Sequence, residues 1–332
     1  MQLSLLGRAA FFYAHKSVGS SGRINMPRNR SIGKNHSRKR RKSSMFVSVS
    51  EEVQTYTARD GSLLPYRYFE GPADAALIFL HGITEPSLYL STLGRYLADQ
   101  GLATVYLPDL RGYGATPIRR GDIDYIGQLD DDLEDLIRHV QARQPGARIV
   151  FGGHSAGGAT ALRQTVRPIH DDVHAYLLLA PALSPSSPLD RKDKLVNESK
   201  VNVPKYALLM ALNALGIHRW DHTVVYRRLT PKERLHGTES CSLSYRLALS
   251  RMVGSDYAKH LSRLAKPTFV LIGEDDEVFR AEAYEPLYRQ YCSADVRVLP
   301  GHNHDQIIQT EQALAIVGEW LKEQLVKAEA IQ

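Results

Sequence analysis

A chain of 332 residues with 43% hydrophobic side chains can fill a sizeable core, so it is neither a disordered polymer nor a mini-domain that depends on disulfides. Its formal charge of +6 is confined to one end: residues 1–50 hold eleven Lys or Arg and no Asp or Glu, which leaves the remainder at −5, without the basic footprint of a nucleic-acid-binding fold. Two cysteines, Cys241 and Cys292, are too few for a disulfide framework and point to a reducing compartment, and no run of 18 apolar residues offers a transmembrane helix.

Residues 1–50 read as a basic, solvated extension of a cytoplasmic protein. Two alternatives stand beside that reading. "MQLSLLGRAAFFYAHK" contains Arg, lacks acids and is weakly amphipathic, as a mitochondrial transit peptide is; "SRKRRK" offers weak contact with an anionic membrane surface or nucleic acid. From residue 51 the pattern becomes regular. "VQTYTARDGSLLPYRYFE" alternates around Asp60-Gly61 and predicts an antiparallel hairpin. "AALIFLHG" is a continuous apolar run, as a strand buried on both faces requires. A helix over "LYLSTLGRYLADQG" ends at Gly101, a C-cap, and "LATVYLPDLRGYG" is strand again. The acid-led helix "QLDDDLEDLIRHVQARQ" and the buried strands "ARIVFGGHS" and "AYLLLAPALS" follow. Such alternation implies βαβ units and a mostly parallel, doubly wound sheet of the α/β class.

After residue 185 the alternation stops. "VPKYALLMALNALGI" and "SLSYRLALSRMV" read as amphipathic helices, and strands return only with "PTFVLIGEDD" and "ADVRVLPGHNHD" before a last helix near 306–327. The expected organisation is therefore a core over 51–185 and 263–332, interrupted by a helical lid insertion at 186–262.

Gly153-His154-Ser155-Ala156-Gly157 lies between a buried strand and a helix, the setting that a G-x-S-x-G nucleophile elbow needs. A tight turn there lifts the Ser155 hydroxyl above the strand ends and leaves the Ala156 amide at a helix start, free to donate to an oxyanion. A serine of ordinary acidity needs a base, and the base an orienting acid. The strand ending at Gly273 is followed by Glu274, Asp275, Asp276 and Glu277, any of which can serve as the acid; the last strand runs into His302 and His304.

These segments resemble the α/β-hydrolase family, across about residues 55–327, and within it the monoacylglycerol lipase, lysophospholipase and serine aminopeptidase-like branch. The likeness rests on "FLHGITEPSLYLSTLGRYLADQGLATVYLPDLRGYGAT", "GGHSAGG", "LLLAPAL", "VLIGEDDEV" and "VLPGHNHDQII". It implies that His81-Gly82 belong to an oxyanion loop whose next residue, Ile83, supplies an amide. It also implies Asp276, three residues past the strand-end glycine, as the acid, and His304, closing a Pro-Gly-x-x-His turn, as the base. Two positions depart from the branch: Arg111-Gly112-Tyr113-Gly114 stands where His-Gly-His is common, and Ala156 where Met often follows the serine.

The expected activity is serine hydrolysis of carboxylic esters, short-to-medium acyl esters or monoacyl lipids, through an acyl-enzyme and without cofactor or metal. Amide, peptide or thioester hydrolysis on the same residues is the nearest alternative; a non-catalytic ligand receptor is the alternative of another class. His170-x-x-x-His174 and His302-x-His304 have ligand-like spacing, but the first lacks the Glu of H-E-x-x-H. Tyr206, Trp220 and Tyr226 read as packing within the insertion rather than a cofactor box.

Overall fold

The computed structural model describes residues 51–191, 199–229 and 235–329; the expectations for residues 1–50 lie outside them. The hairpin forms first, from β1 (Glu52–Thr57) and β2 (Leu63–Phe69), in antiparallel register from Glu52↔Tyr68 to Thr57↔Leu63. Its turn passes through Asp60-Gly61, where Gly61 takes φ 81°, a conformation a Cβ disfavours. Then come β3 (Ala75–Leu80), α1 (Ser91–Asp99), β4 (Thr104–Pro108), α2 (Gln128–Arg143), β5 (Arg148–His154), α3 (Ala156–Arg163) and β6 (Ala175–Leu179). The β3 and β6 residues are buried throughout, so each strand is covered on both faces.

The insertion holds β7 (Ser199–Val201), α4 (Val203–Ala214), β8 (Val224–Arg228), β9 (Ser242–Ser244), α5 (Tyr245–Ser250) and α6 (Tyr257–Leu261). The chain returns to the sheet with β10 (Thr268–Gly273), α7 (Tyr284–Tyr291), β11 (Asp295–Leu299) and α8 (Glu311–Glu329). The described residues form one eight-stranded sheet, ordered β1-β2-β4-β3-β5-β6-β10-β11, in which β2 alone runs against its neighbours. The order reverses at β3: the chain steps out to β4, then crosses back to lay β5 on the other side. The carboxyl ends of β3 and β5 lie at this reversal, the place where open α/β sheets take their ligands.

The insertion is not purely helical. β7, β8 and β9 make a separate three-stranded antiparallel sheet, and the helix expected over "SLSYRLALSRMV" is shortened to α5. The cause is local. Ser242-Leu243-Ser244 alternates polar and apolar and pairs with Val224–Arg228, after which the Ser244 side chain caps α5 by accepting from Leu247 N at 3.2 Å. The insertion is tied to the loops that leave β3 and β4. Arg228 Nη1 donates to Thr84 Oγ1 (2.8 Å) and pairs with Glu85, while Ser240 N donates to Thr84 O (3.0 Å) and Ser240 Oγ to Gly112 O (2.6 Å).

Candidate active site

Ser155 sits between β5 and α3 at φ 55°, ψ −123°, a backbone region that L-residues enter only where the surroundings force them. The forcing is steric. A Cβ on Gly153 would lie 2.4 Å from the Gly157 carbonyl carbon, and one on Gly157 would lie 2.1 Å from Leu80 O, so strand, turn and helix meet at a separation that only glycine allows. The Ser155 carbonyl then accepts from Gly158 N (3.0 Å) and Ala182 N (2.9 Å). Serine at this position usually caps the helix that follows, but the Ser155 hydroxyl caps none of the α3 amides. Ser155 is partly exposed, and among the described residues its hydroxyl has no hydrogen-bond partner. Ser155→Gly is expected to raise stability by about 1 kcal/mol, since glycine accepts φ 55° without strain, as read from a urea unfolding curve.

Asp276 follows β10 and is 0% exposed. Its Oδ1 accepts from Val278 N (2.8 Å) and Phe279 N (2.7 Å), which fixes the carboxylate and turns Oδ2 toward His304 Nδ1, 2.7 Å away. His304 follows β11, and its backbone N donates to Glu277 Oε2 at 3.1 Å. Burial disfavours the imidazolium of His304, yet the Asp276 hydrogen bond and charge, with Asp305 and Glu277 behind them, raise its pKa above the ordinary histidine value. Nδ1 being engaged with Asp276, Nε2 is the nitrogen left to face a reactant. Of the four acids open from sequence, Asp276 is the one hydrogen-bonded to a histidine ring among the described residues. Of the two histidines, His302 is occupied elsewhere, by Pro300 O and Thr310 Oγ1.

His154 joins the elbow to His304. Its Nε2 lies 3.0 Å from the His304 carbonyl, and the two rings are 4.6 Å apart. A carbonyl only accepts, so Nε2 carries the proton and Nδ1 must accept from Tyr89 OH at 2.9 Å. Tyr89 OH in turn accepts from Gly82 N at 2.7 Å. One directed chain of hydrogen bonds thus runs from the loop after β3, through Tyr89 and His154, to the backbone of His304. Burial drives the His154 pKa well below the usual value, which keeps the ring neutral as the chain requires.

The loop after β3 approaches the elbow closely: a Cβ on Gly82 would lie 3.9 Å from Ser155 Cβ. His81 is fully buried, its Nε2 accepts from Leu110 N (3.1 Å), and its Nδ1–H therefore donates to Gly82 O (2.9 Å). Among the described residues the Ile83 amide has no acceptor, and the Ala156 amide begins a helix whose first turn is uncapped. Tyr113, at the position that departs from the branch, donates its hydroxyl to Ile83 O at 2.8 Å. Sequence reasoning gave Tyr89 no role and marked Tyr113 only as a departure from the branch.

The histidines with metal-like spacing do other work. His170 Nδ1 pairs with Tyr176 OH (2.7 Å), and His174 Nδ1 accepts from Ile149 N (3.1 Å). Among the described residues no three His, Cys, Asp or Glu side chains are arranged to hold a metal ion, and no helix is long and apolar enough to cross a membrane.

Solved structures share this architecture at low identity. DcsB, determined in complex with its substrate analogue, superposes with a TM-score of 0.61 at 16% identity, covering 83% of this chain and 100% of its own. A thermophilic esterase from Thermogutta terrifontis gives 0.54 at 19%, covering 82% and 99%, and a monoacylglycerol lipase from Paleococcus ferrophilus gives 0.55 at 20%, covering 79% and 99%. At these identities the likeness is one of fold, the α/β-hydrolase fold. Residues 71–311 match the family described as serine aminopeptidase, S33, and over that span the chain belongs to this family of α/β hydrolases.

Proposed function

We propose that this chain is a serine hydrolase acting on carboxylic esters. The observation that carries the proposal is the Asp276–His304 pair, 2.7 Å apart and tethered through His154 to the strained turn that presents Ser155. Ser155 attacks the ester carbonyl while His304 Nε2 takes its proton, Asp276 holds the imidazole with Nδ1–H toward the carboxylate, and the amides of Ile83 and Ala156 receive the oxyanion. His304 then protonates the leaving alcohol, and a water deprotonated by the same histidine releases the acid and frees Ser155. Each step conserves atoms without a cofactor.

Two features favour short-to-medium acyl esters or monoacyl lipids as the substrate class. Helix α4 is mostly apolar and leaves Leu208 exposed, and the insertion that carries it is bonded to the loops beside Ser155. We assign residues 186–262 the role of a lid on the core formed by 51–185 and 263–332. The fold neighbours include an esterase and a monoacylglycerol lipase, in keeping with this class. Cys241 and Cys292 form no disulfide, in keeping with a cytoplasmic chain.

Amide hydrolysis is the second reading, favoured by the aminopeptidase description of the family. One experiment separates the readings. The chain is treated with a fluorophosphonate, the adduct is located by mass spectrometry, and turnover is compared for p-nitrophenyl esters of increasing acyl length and for aminoacyl p-nitroanilides. The expected result is an adduct on the Ser155 peptide and ester turnover that exceeds anilide turnover. Faster anilide turnover moves the proposal to amides, and folded protein that neither labels nor hydrolyses either series overturns it in favour of a ligand receptor.

A further inference from the structure

The peptide between Gly82 and Ile83 is gripped by two side chains far apart in the chain, His81 and Arg251. A peptide unit is a rigid plane, so whatever fixes Gly82 O also fixes the direction of the Ile83 N–H on its opposite edge. Gly82 O accepts two hydrogen bonds, from His81 Nδ1 at 2.9 Å and from Arg251 Nη2 at 2.8 Å. The same Nη2 donates to His81 O at 2.5 Å, and Tyr113 OH holds the next carbonyl, Ile83 O.

Arg251 is an unusual residue to find there. It lies just past the end of α5, in the insertion, and is 0% exposed. Among the described residues no carboxylate pairs with it; the Tyr113 ring lies 5.3 Å from the guanidinium carbon. Its Nε and Nη1 are buried without a hydrogen-bond partner. A wholly buried guanidinium with two unsatisfied nitrogens costs folding stability, and an apolar side chain of similar length fills the same space without that cost. Such a cost is expected where a residue serves the site rather than the fold.

We propose that Arg251 is a positioning residue for the oxyanion hole. Its charge-assisted hydrogen bond locks the Gly82–Ile83 plane and polarises it, which aims the Ile83 N–H and strengthens it as a donor to the developing oxyanion. Because Arg251 is carried by the insertion, the seating of the insertion and the competence of the oxyanion hole are one event. The inference rests on the reading of Ile83 as an oxyanion donor.

The test uses the full chain with Arg251→Met and Arg251→Lys. Active sites are titrated with the fluorophosphonate so that kcat is expressed per competent site. Inhibition by a trifluoromethyl ketone, whose hemiketal carries the oxyanion, is measured beside KM. Arg251→Met is expected to lower kcat about 100-fold with KM within about twofold, and to weaken the ketone in parallel, since a displaced donor loses most of the 10²–10³ that an oxyanion donor supplies. Arg251→Lys keeps the charge and a donor nitrogen on a shorter side chain, and recovers part of each loss. A merely structural role would reduce the number of titrated sites and leave kcat per site and ketone affinity intact. That result in folded Arg251→Met overturns the inference while labelling of wild type at Ser155 leaves the proposed function standing. A wild type that does not label removes both.

Discussion

Ser155→Ala and His304→Ala are each expected to lower kcat/KM for a p-nitrophenyl ester by about 10⁶-fold, and the double variant to fall no further. In the proposed mechanism the two side chains perform one act. A serine hydroxyl is a poor nucleophile until its proton leaves, and a base with no hydroxyl to deprotonate contributes nothing to acyl transfer. Among the described residues no hydrogen bond joins Ser155 to His304. Such bonds commonly tighten only when substrate is bound, so the kinetic coupling is the direct measure of their partnership. What survives in either variant is the contribution of binding and of the amides of Ile83 and Ala156, about 10³–10⁴ over water. Losses that multiply in the double variant, or a single variant that keeps more than a few per cent of activity, would mean that the two residues act separately and that the proposed nucleophile is wrong.

The parts of this molecule that were legible in sequence are those where neighbouring residues impose the structure. "AALIFL" reads as a buried strand because every side chain in it must be covered, and β3 is buried throughout. The elbow reads as an elbow because Gly153 and Gly157 stand where a Cβ would strike backbone at 2.4 and 2.1 Å. The Asp276–His304 contact bridges 28 residues, and position alone left four acids open; the resemblance selected Asp276, and the amides of Val278 and Phe279 explain why its carboxylate is the one held in place. What sequence did not reveal has partners far away along the chain. Arg251 meets Gly82 across 169 residues, and Tyr89 meets His154 across 65. An arginine after "LALS" has no periodicity or cap signature that separates it from a solvated helix end. The strand β9 was missed because its three residues are too short to outweigh the apolar spacing that continues into α5.

Asp276→Asn is expected to lower kcat/KM about 10⁴-fold at neutral pH while leaving the fold in place, because it reverses a tautomer. Val278 N and Phe279 N both need an acceptor at the Oδ1 position, so the asparagine oxygen stays there and its amide NH₂ faces His304. His304 Nδ1 must then accept, the ring proton moves to Nε2, and the nitrogen that should deprotonate Ser155 is already occupied. The pH profile carries a second signature. In wild type, kcat/KM is expected to rise as His304 loses its proton, with an apparent pKa above the ordinary 6.5, because Asp276 outweighs burial. Without the carboxylate the remaining burial pulls the other way, and the acid limb moves to lower pH. Stability follows the same sign: a raised histidine pKa stabilises the folded chain below the unfolded value near 6.5, and that increment is lost as pH rises through the folded pKa. Denaturation midpoints measured from pH 5 to pH 9 should therefore fall with pH more steeply in wild type than in Asp276→Asn. The control is Asp275→Asn, which changes neither profile. An acid limb that stays in place in Asp276→Asn, or a loss below tenfold, would take the orienting role away from Asp276 and return the choice to the neighbouring acids.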